Sequence, residues 1–487
     1  MARDFRNPAF AFIHGVVIAG LSILLAFQTG CDNGPTNASG SPGSSSSATP
    51  ESQGNRNAAG QGTSVPTDGK SSENPVLAAS DNPQKPENSK ATPQAKPAIP
   101  IAPSADATPA DAPLDPTVNV DGLLAARLPS DELSVGWIRL FDGQSLTGWR
   151  NAGNANWRVE DGVLVANSGD PCLLCTSVRF SDFELTLEYK GTDSTNSGIF
   201  LRTPKIPTNP AVDCFELNIA PPDNPFPTGS LVGRVKVGEQ VDEPESGEWN
   251  TLHAMVDREH VQAWVNGQLS ADYNDTTALV SGYIGLQFRE GTIRFRNVRV
   301  RPISYAILPA KELGDFNTPS GNVKAELTDS GSLILTGGKG HLELLQPHAN
   351  CCLQFAAQTL AENVNSGLFF RCIPGEDMNG YECQVHHGYK EDRRRPVDAG
   401  MGAIFRRQNA KAVLSDSTEM AYVTIVADGP LISTWVNGVQ VVDWEDKREP
   451  NANPRKGLRT EAGTIMLQGH DPTCKIRFDS LSICPLP

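Results

Sequence analysis

The sequence predicts an all-β protein: two tandem β-sandwiches carried behind an export signal and a long disordered tether. Three observations carry that prediction. From Trp137 onward the chain runs in short stretches that alternate apolar and polar residues with period two, broken by Gly, Asn and Asp. The same stretches return about 170 residues later, which is a domain duplication and not a solenoid period. Before Trp137 the texture is different, with no Phe, Trp or Tyr between Asp32 and Gly136.

The chain opens as an export signal would. Arg3 and Arg6 make a basic start, and Gly15 to Phe27 is an apolar run too short for a comfortable membrane span. It ends in Thr29-Gly30-Cys31, which resembles the lipobox of bacterial lipoproteins, although Gln28 stands where a small residue is usual. That resemblance implies acylation of Cys31 and a protein held at the cell envelope by a lipid anchor. Residues 32–136, rich in Ser, Pro, Ala, Asn and Gly, cannot bury enough apolar surface to offset the entropy of ordering. They read as a disordered linker that reaches on the order of 50–60 Å.

Enough chain remains for two domains, 137–303 and 312–487. A formal charge of −15 excludes a nucleic-acid partner, because no basic stripe is present to release counterions. Ten cysteines in an exported chain permit disulfides, and with Cys31 lipidated an odd number is left. Nothing in the sequence fixes the oligomeric state.

The duplication is explicit. Asn196-Ser-Gly-Ile-Phe-Leu-Arg202 matches Asn365-Ser-Gly-Leu-Phe-Phe-Arg371, and Cys214 to Ala220 matches Tyr381 to His387. Trp264-Val-Asn-Gly267 matches Trp435-Val-Asn-Gly438, where Asn-Gly suits a type I′ hairpin. Gly282 to Gln287 matches Gly463 to Gln468, and each copy closes on an alternating strand, Ile293 to Val300 and Lys475 to Ile483. On the second strand of the later copy, Tyr381, Cys383 and Val385 point one way and Glu382, Gln384 and His386 the other. That polar face reads as the floor of a binding groove.

Leu140 to Trp149, Trp157 to Val165, Asn196 to Arg202, Gly247 to Asn250, Trp264 to Gly267, Ile284 to Gln287 and Phe295 to Val300 follow one another in order. Together they resemble the bacterial 3-keto-disaccharide hydrolase domain family, over both repeats. The resemblance implies a concanavalin-A-like jelly roll of two curved antiparallel sheets. It also implies a substrate whose sugar is already oxidised to a ketone at C3, so that the neighbouring C2 proton is acidic. A base, donors for the developing oxyanion and an acid for the leaving group would then be needed.

The second repeat offers the richer set. Glu382 is the expected base, with Gln384 and His386 on its face. Arg371 is the expected oxyanion partner, and His470 the acid or base in the turn after Gln468, with Asp471 orienting it. Trp444 stands near a long loop (445–460) and is read as a stacking surface for sugar. The first repeat keeps Arg202 and Glu216, but Asn218, Ala220 and Phe288-Arg289-Glu290 replace Gln384, His386 and Gly469-His470-Asp471. It reads as a degenerate or substrate-binding copy. The runner-up is a non-catalytic carbohydrate-binding envelope lipoprotein with two grooves.

Plainer readings stand beside these. Each Glu could pair across the sheet with the Arg of its partner strand, Glu216 with Arg202 and Glu382 with Arg371. No cofactor is expected. A divalent metal on His386, His470 and Asp471 is possible, although no spacing here is diagnostic. Cys172-Leu-Leu-Cys175 reads as a disulfide or buried thiols rather than a redox or zinc site. Cys372 and Cys383 are placed for a cross-strand bridge, and Arg393-Arg394-Arg395 for a solvated turn or a ligand contact.

Overall fold

The computed structural model describes residues 117–277 and 279–487; Cys31, the export signal and the linker up to residue 116 lie outside them. Each repeat is a sandwich of two antiparallel sheets, with alternate residues of every strand turned into the core between them. In the first repeat the smaller sheet holds β1 (Trp149–Asn151), β2 (Cys172–Thr176), β3 (Asn196–Thr203), β4 (Phe215–Ile219) and β5 (Tyr283–Glu290), in the order β1-β2-β5-β3-β4. In the second it holds β6 (Gly340–His348), β7 (Ser366–Cys372), β8 (Tyr381–Val385) and β9 (Gly463–Gly469), in the order β6-β9-β7-β8. Behind each lies an eight-stranded sheet. The fold is all-β, as the sequence predicts.

Local chemistry explains the joints. Asn266-Gly267 and Asn437-Gly438 both take positive φ at both positions, the type I′ geometry that matches strand twist. The hydroxyl of the Asn-Ser-Gly serine pins its strand to a neighbour: Ser197 donates to the carbonyl of Gln287 (2.6 Å) and Ser366 to that of Gln468 (2.7 Å).

Two expectations need correction. The end of the expected linker is folded: Val120–Ala125 and Ser130–Ser134 are helices, Asn119 caps the first, and Leu123 enters the core of the second repeat. Leu128 packs where any side chain at Gly438 would stand. A composition poor in aromatics hid two leucine anchors. The Cys372–Cys383 bridge does not form, and all nine cysteines among the described residues are free thiols. Arg371 has φ 49°, and the register of β7 slips between Phe369 and Cys372. That bulge turns Cys372 to the outer face beside Phe369 and Met466, while Cys383 stays in the core.

The repeats are interlocked. Cys352, Val426, Trp435, Cys484 and Leu486 of the second join the core of the first. Arg179–Asp428 (2.6 Å), Arg150–Asp443 (2.7 Å) and Lys411–Asp142 (2.8 Å) pair across the seam, and Trp435 Nε1 donates to the Arg139 carbonyl. Tests of function therefore belong on the whole chain.

Candidate functional site

The outer face of the smaller sheet in the second repeat carries two rows of side chains. Register places Gln384, Gly367, Gln468 and His341 in one row, and Glu382, Phe369, Met466 and Glu343 in the next. Gly367 makes room for the first row to work with the second. A Cβ there would stand 3.1 Å from Glu382 Oε1, so the glutamate side chain lies across a glycine.

Glu382 is 8% exposed, and its carboxylate forms no hydrogen bond or ion pair among the described residues. Burial pushes its pKa up to about 7, against the pull of Arg455, His470 and Arg406. Asp398 pushes it further up. Both arginines come from loops that sequence reasoning did not connect to the strand. Arg455, on the long loop, lays its guanidinium over Phe369 (5.4 Å), the cross-strand partner of Glu382, and donates Nε to the Met378 carbonyl. Arg406 follows the segment that closes the open edge of β8, where Phe405 N–H donates to the Glu382 carbonyl. It holds φ 59°, at the position where the first repeat has Gly233.

Two amides flank the carboxylate. Asn365 donates to the Asp398 carboxylate (2.9 Å), which fixes its orientation, so its Oδ1 must accept from Gln384 Nε2 (3.0 Å). Gln384 Oε1 is left buried without a partner, and so is Gln468 Oε1. Two buried acceptors in one row of the sheet are what the hydroxyl groups of a sugar can satisfy. His386 Nδ1 accepts from Gly388 N–H (3.0 Å); burial lowers its pKa, opposed by Asp398 and reinforced by His470. His470 is half-exposed, with Nδ1 2.9 Å from Asp471 Oδ2. Bonds from Thr473 and His470 hold Asp471 at about 2.

Other candidates stand elsewhere. Arg371 is 1% exposed and donates to the carbonyls of Ala349, Gly429 and Arg459 and to Asn350 Oδ1. It is a strap between loops, not an oxyanion partner, because its bulge turns it away from the Glu382 row. Arg202 does the same in the first repeat, bonding Ser181, Arg258, Leu279 and Asp182. The cross-strand Arg–Glu pairings are thereby corrected too. Trp444 packs edge-on against Tyr381, which points into the core and away from Glu382, so it offers no sugar platform on this face. Arg393 bonds Asp416 and Arg394 bonds Asp392, as a hairpin turn would. Among the described residues no group of three or more His, Cys, Asp or Glu is gathered to hold a metal ion, so His386, His470 and Asp471 do not form the triad considered above.

The sequence suggests a surface or loop position for His341 and no role for Glu343; both instead stand buried on this face, because strand adjacency is not written in sequence. Glu343 accepts from Thr464, Gly375 and Asn317. It lies three strand spacings from Glu382, roughly 14 Å, with Phe369 and Met466 between. That exceeds the ~5–9.5 Å of a glycosidase carboxylate pair.

In the first repeat Glu216 also lies beside a glycine, Gly198, and its pKa is raised by burial, offset by Arg289 and Gln287. Gln287 Oε1 is again an unpartnered buried acceptor. But Leu173 and Cys175 stand where the second repeat has His341 and Glu343.

The profile of the 3-keto-alpha-glucoside-1,2-lyase-like domain matches the chain twice, at residues 136–301 and 309–484. A Bacteroides thetaiotaomicron protein named 3-keto-disaccharide hydrolase is 26% identical over 243 residues, covering 37% of this chain and 83% of that one. A solved protein of Parabacteroides distasonis, provisionally assigned as a glycosyl hydrolase, is 22% identical (TM-score 0.33), covering 37% of this chain and 99% of its own. The carbohydrate binding module CBM66 of Bacillus subtilis is 18% identical (TM-score 0.25), covering 32% and 96%.

Proposed function

Because the chain belongs to the 3-keto-alpha-glucoside-1,2-lyase-like domain family, with one copy of the domain in each repeat, we propose that it cleaves glycosides oxidised at C3, with the site in the second repeat. The observation that carries this reading is Glu382: a buried carboxyl lying beside Gly367 and brought to about 7, within the electrostatic reach of Arg455, Arg406 and His470. A base poised near neutrality is what abstraction of an acidified proton requires.

In this reading Glu382 takes the C2 proton, and the electrons of that bond move toward the C3 carbonyl to give an enediolate. Arg455 and Arg406 supply positive charge to it, the role the sequence assigned to Arg371. The electrons then return to form the C1–C2 double bond as the C1–O bond breaks. The departing oxygen takes a proton from the His470 ring, which Asp471 holds through Nδ1. Water adding across the double bond would complete hydrolysis. Gln384 and Gln468 accept from sugar hydroxyls through their unpartnered oxygens. The first repeat, with Glu216 but neither imidazole, is read as a binding copy. The export signal and Cys31 extend the proposal to an enzyme tethered at the cell envelope.

The test is turnover of a 3-keto-disaccharide by the whole chain in deuterated water, with the unoxidised disaccharide as control. Cleavage of the keto sugar alone, with solvent deuterium at C2 of recovered substrate or product, is expected. The acid limb of kcat/KM should turn near pH 7, since only ionised Glu382 can accept the proton. Cleavage of the unoxidised sugar, or none of either, would remove the proposal.

A further inference from the structure

The two repeats differ at one end of the sandwich. In the second, that end is shut: Ala412 and Leu414 are buried in the core, and Arg393 of a surface hairpin donates to the carbonyl of Val413. In the first, the same end opens into a cavity of about 550 Å3 between the loops 219–228 and 236–250. Register puts Tyr189 there in place of Ala357. It is a core residue, 3% exposed, that lines the cavity, and its buried hydroxyl has no hydrogen-bond partner. Thr228 stands close by, its hydroxyl accepting from the Ala220 N–H and donating to the Ala220 carbonyl, outside hydrogen-bond geometry for the phenol. Burying a phenol hydroxyl unpaired is unfavourable, so this atom is a contact awaiting a partner.

The mouth is acidic. Asp193, Glu239, Asp242, Glu243 and Glu245 line it against one base, Lys236, and none of the carboxylates forms an ion pair among the described residues. They do not converge as a metal cluster does. Pro221 and Val237 add apolar wall beside them. Spread carboxylates suit an ammonium that can be solvated on one side. An apolar wall suits the C–H face of a pyranose, and a buried hydroxyl suits one of its oxygens.

We propose that this cavity is a second ligand site, which takes a cationic hydroxylated ligand of the amino-sugar class. It is independent of the chemistry at Glu382. The first repeat then holds glycan bearing free amines while the second repeat acts elsewhere on the same or a neighbouring chain.

The experiment is calorimetric titration of the whole chain with a glucosamine trimer, with the N-acetylated trimer as its neutral counterpart. The free amine is expected to bind and to weaken as salt screens the carboxylates. Tyr189→Phe, and separately the exposed double change Glu243→Gln with Glu245→Gln, should each weaken it by about tenfold. Both variants should keep wild-type turnover of the keto-disaccharide, which reports that the chain is folded. No binding of the amine, binding that neither variant alters, or equal binding of the N-acetylated trimer would overturn the proposal.

Discussion

The outer faces of the two smaller sheets are one scaffold with two outcomes. Both have a glutamate lying beside the strand glycine of an Asn-Ser-Gly sequence, both have a glutamine with an unpartnered oxygen, and both are strapped by a buried arginine. Around Glu382 the loops bring Arg406, Arg455 and His470; the charge acting on Glu216 is Arg289, on strand β5. On other loops the first repeat has an acidic open cavity. The strands were kept and the loops diverged, which is where function is usually carried on a rigid sandwich. The comparison teaches that the paired Glu and Gly mark the scaffold, while in the proposed reaction the charges acting on the Glu set which copy is the base.

That comparison can be broken at several points. The largest effect belongs to the shared straps. Arg371→Met removes a buried guanidinium that satisfies three carbonyls and should cost about 3 kcal/mol or more in chemical denaturation; Arg202→Met should cost as much. If either variant is as stable as the parent, the strap is not what the two copies share. Next come the glycines. Gly367→Ala presses on Glu382 and should lower kcat/KM about tenfold by misplacing the base, whereas Gly198→Ala should leave turnover within twofold of wild type. Equal losses would place the reaction in both repeats.

The smallest effect is the most pointed. Arg406 holds a left-handed conformation where the first repeat has Gly233. Arg406→Gly should therefore stabilise the fold by up to about 1 kcal/mol while reducing turnover. A variant that gains stability and keeps full activity would show that the strained arginine does nothing for the reaction.

Much of this was legible in the residues. Period-two alternation and the duplicated turns gave both sandwiches, and the alternation along β8 correctly separated Tyr381, Cys383 and Val385 from Glu382 and Gln384. Alternation fails at a bulge. The positive φ of Arg371 reversed the face of everything after it, which misplaced both that arginine and Cys372. Charges supplied by distant loops, Arg406 and Arg455, were invisible to strand patterning. So were His341 and Glu343, which reach the face only through the pairing of β6 with β9. One signal was available: aligning Gly233-Arg234 with Arg406-Arg407 shows an arginine replacing a turn glycine.

The most direct measurement compares two single substitutions in the whole chain, Glu382→Gln and Glu216→Gln, for turnover of a 3-keto-disaccharide. Loss of the second-repeat base is expected to cost about 10²–10⁴-fold, with thermal stability kept or raised because a buried carboxyl is replaced by its neutral isostere. The first-repeat change should leave turnover as it was. Full activity in Glu382→Gln, or a comparable collapse in Glu216→Gln, would contradict a reaction housed in the second repeat.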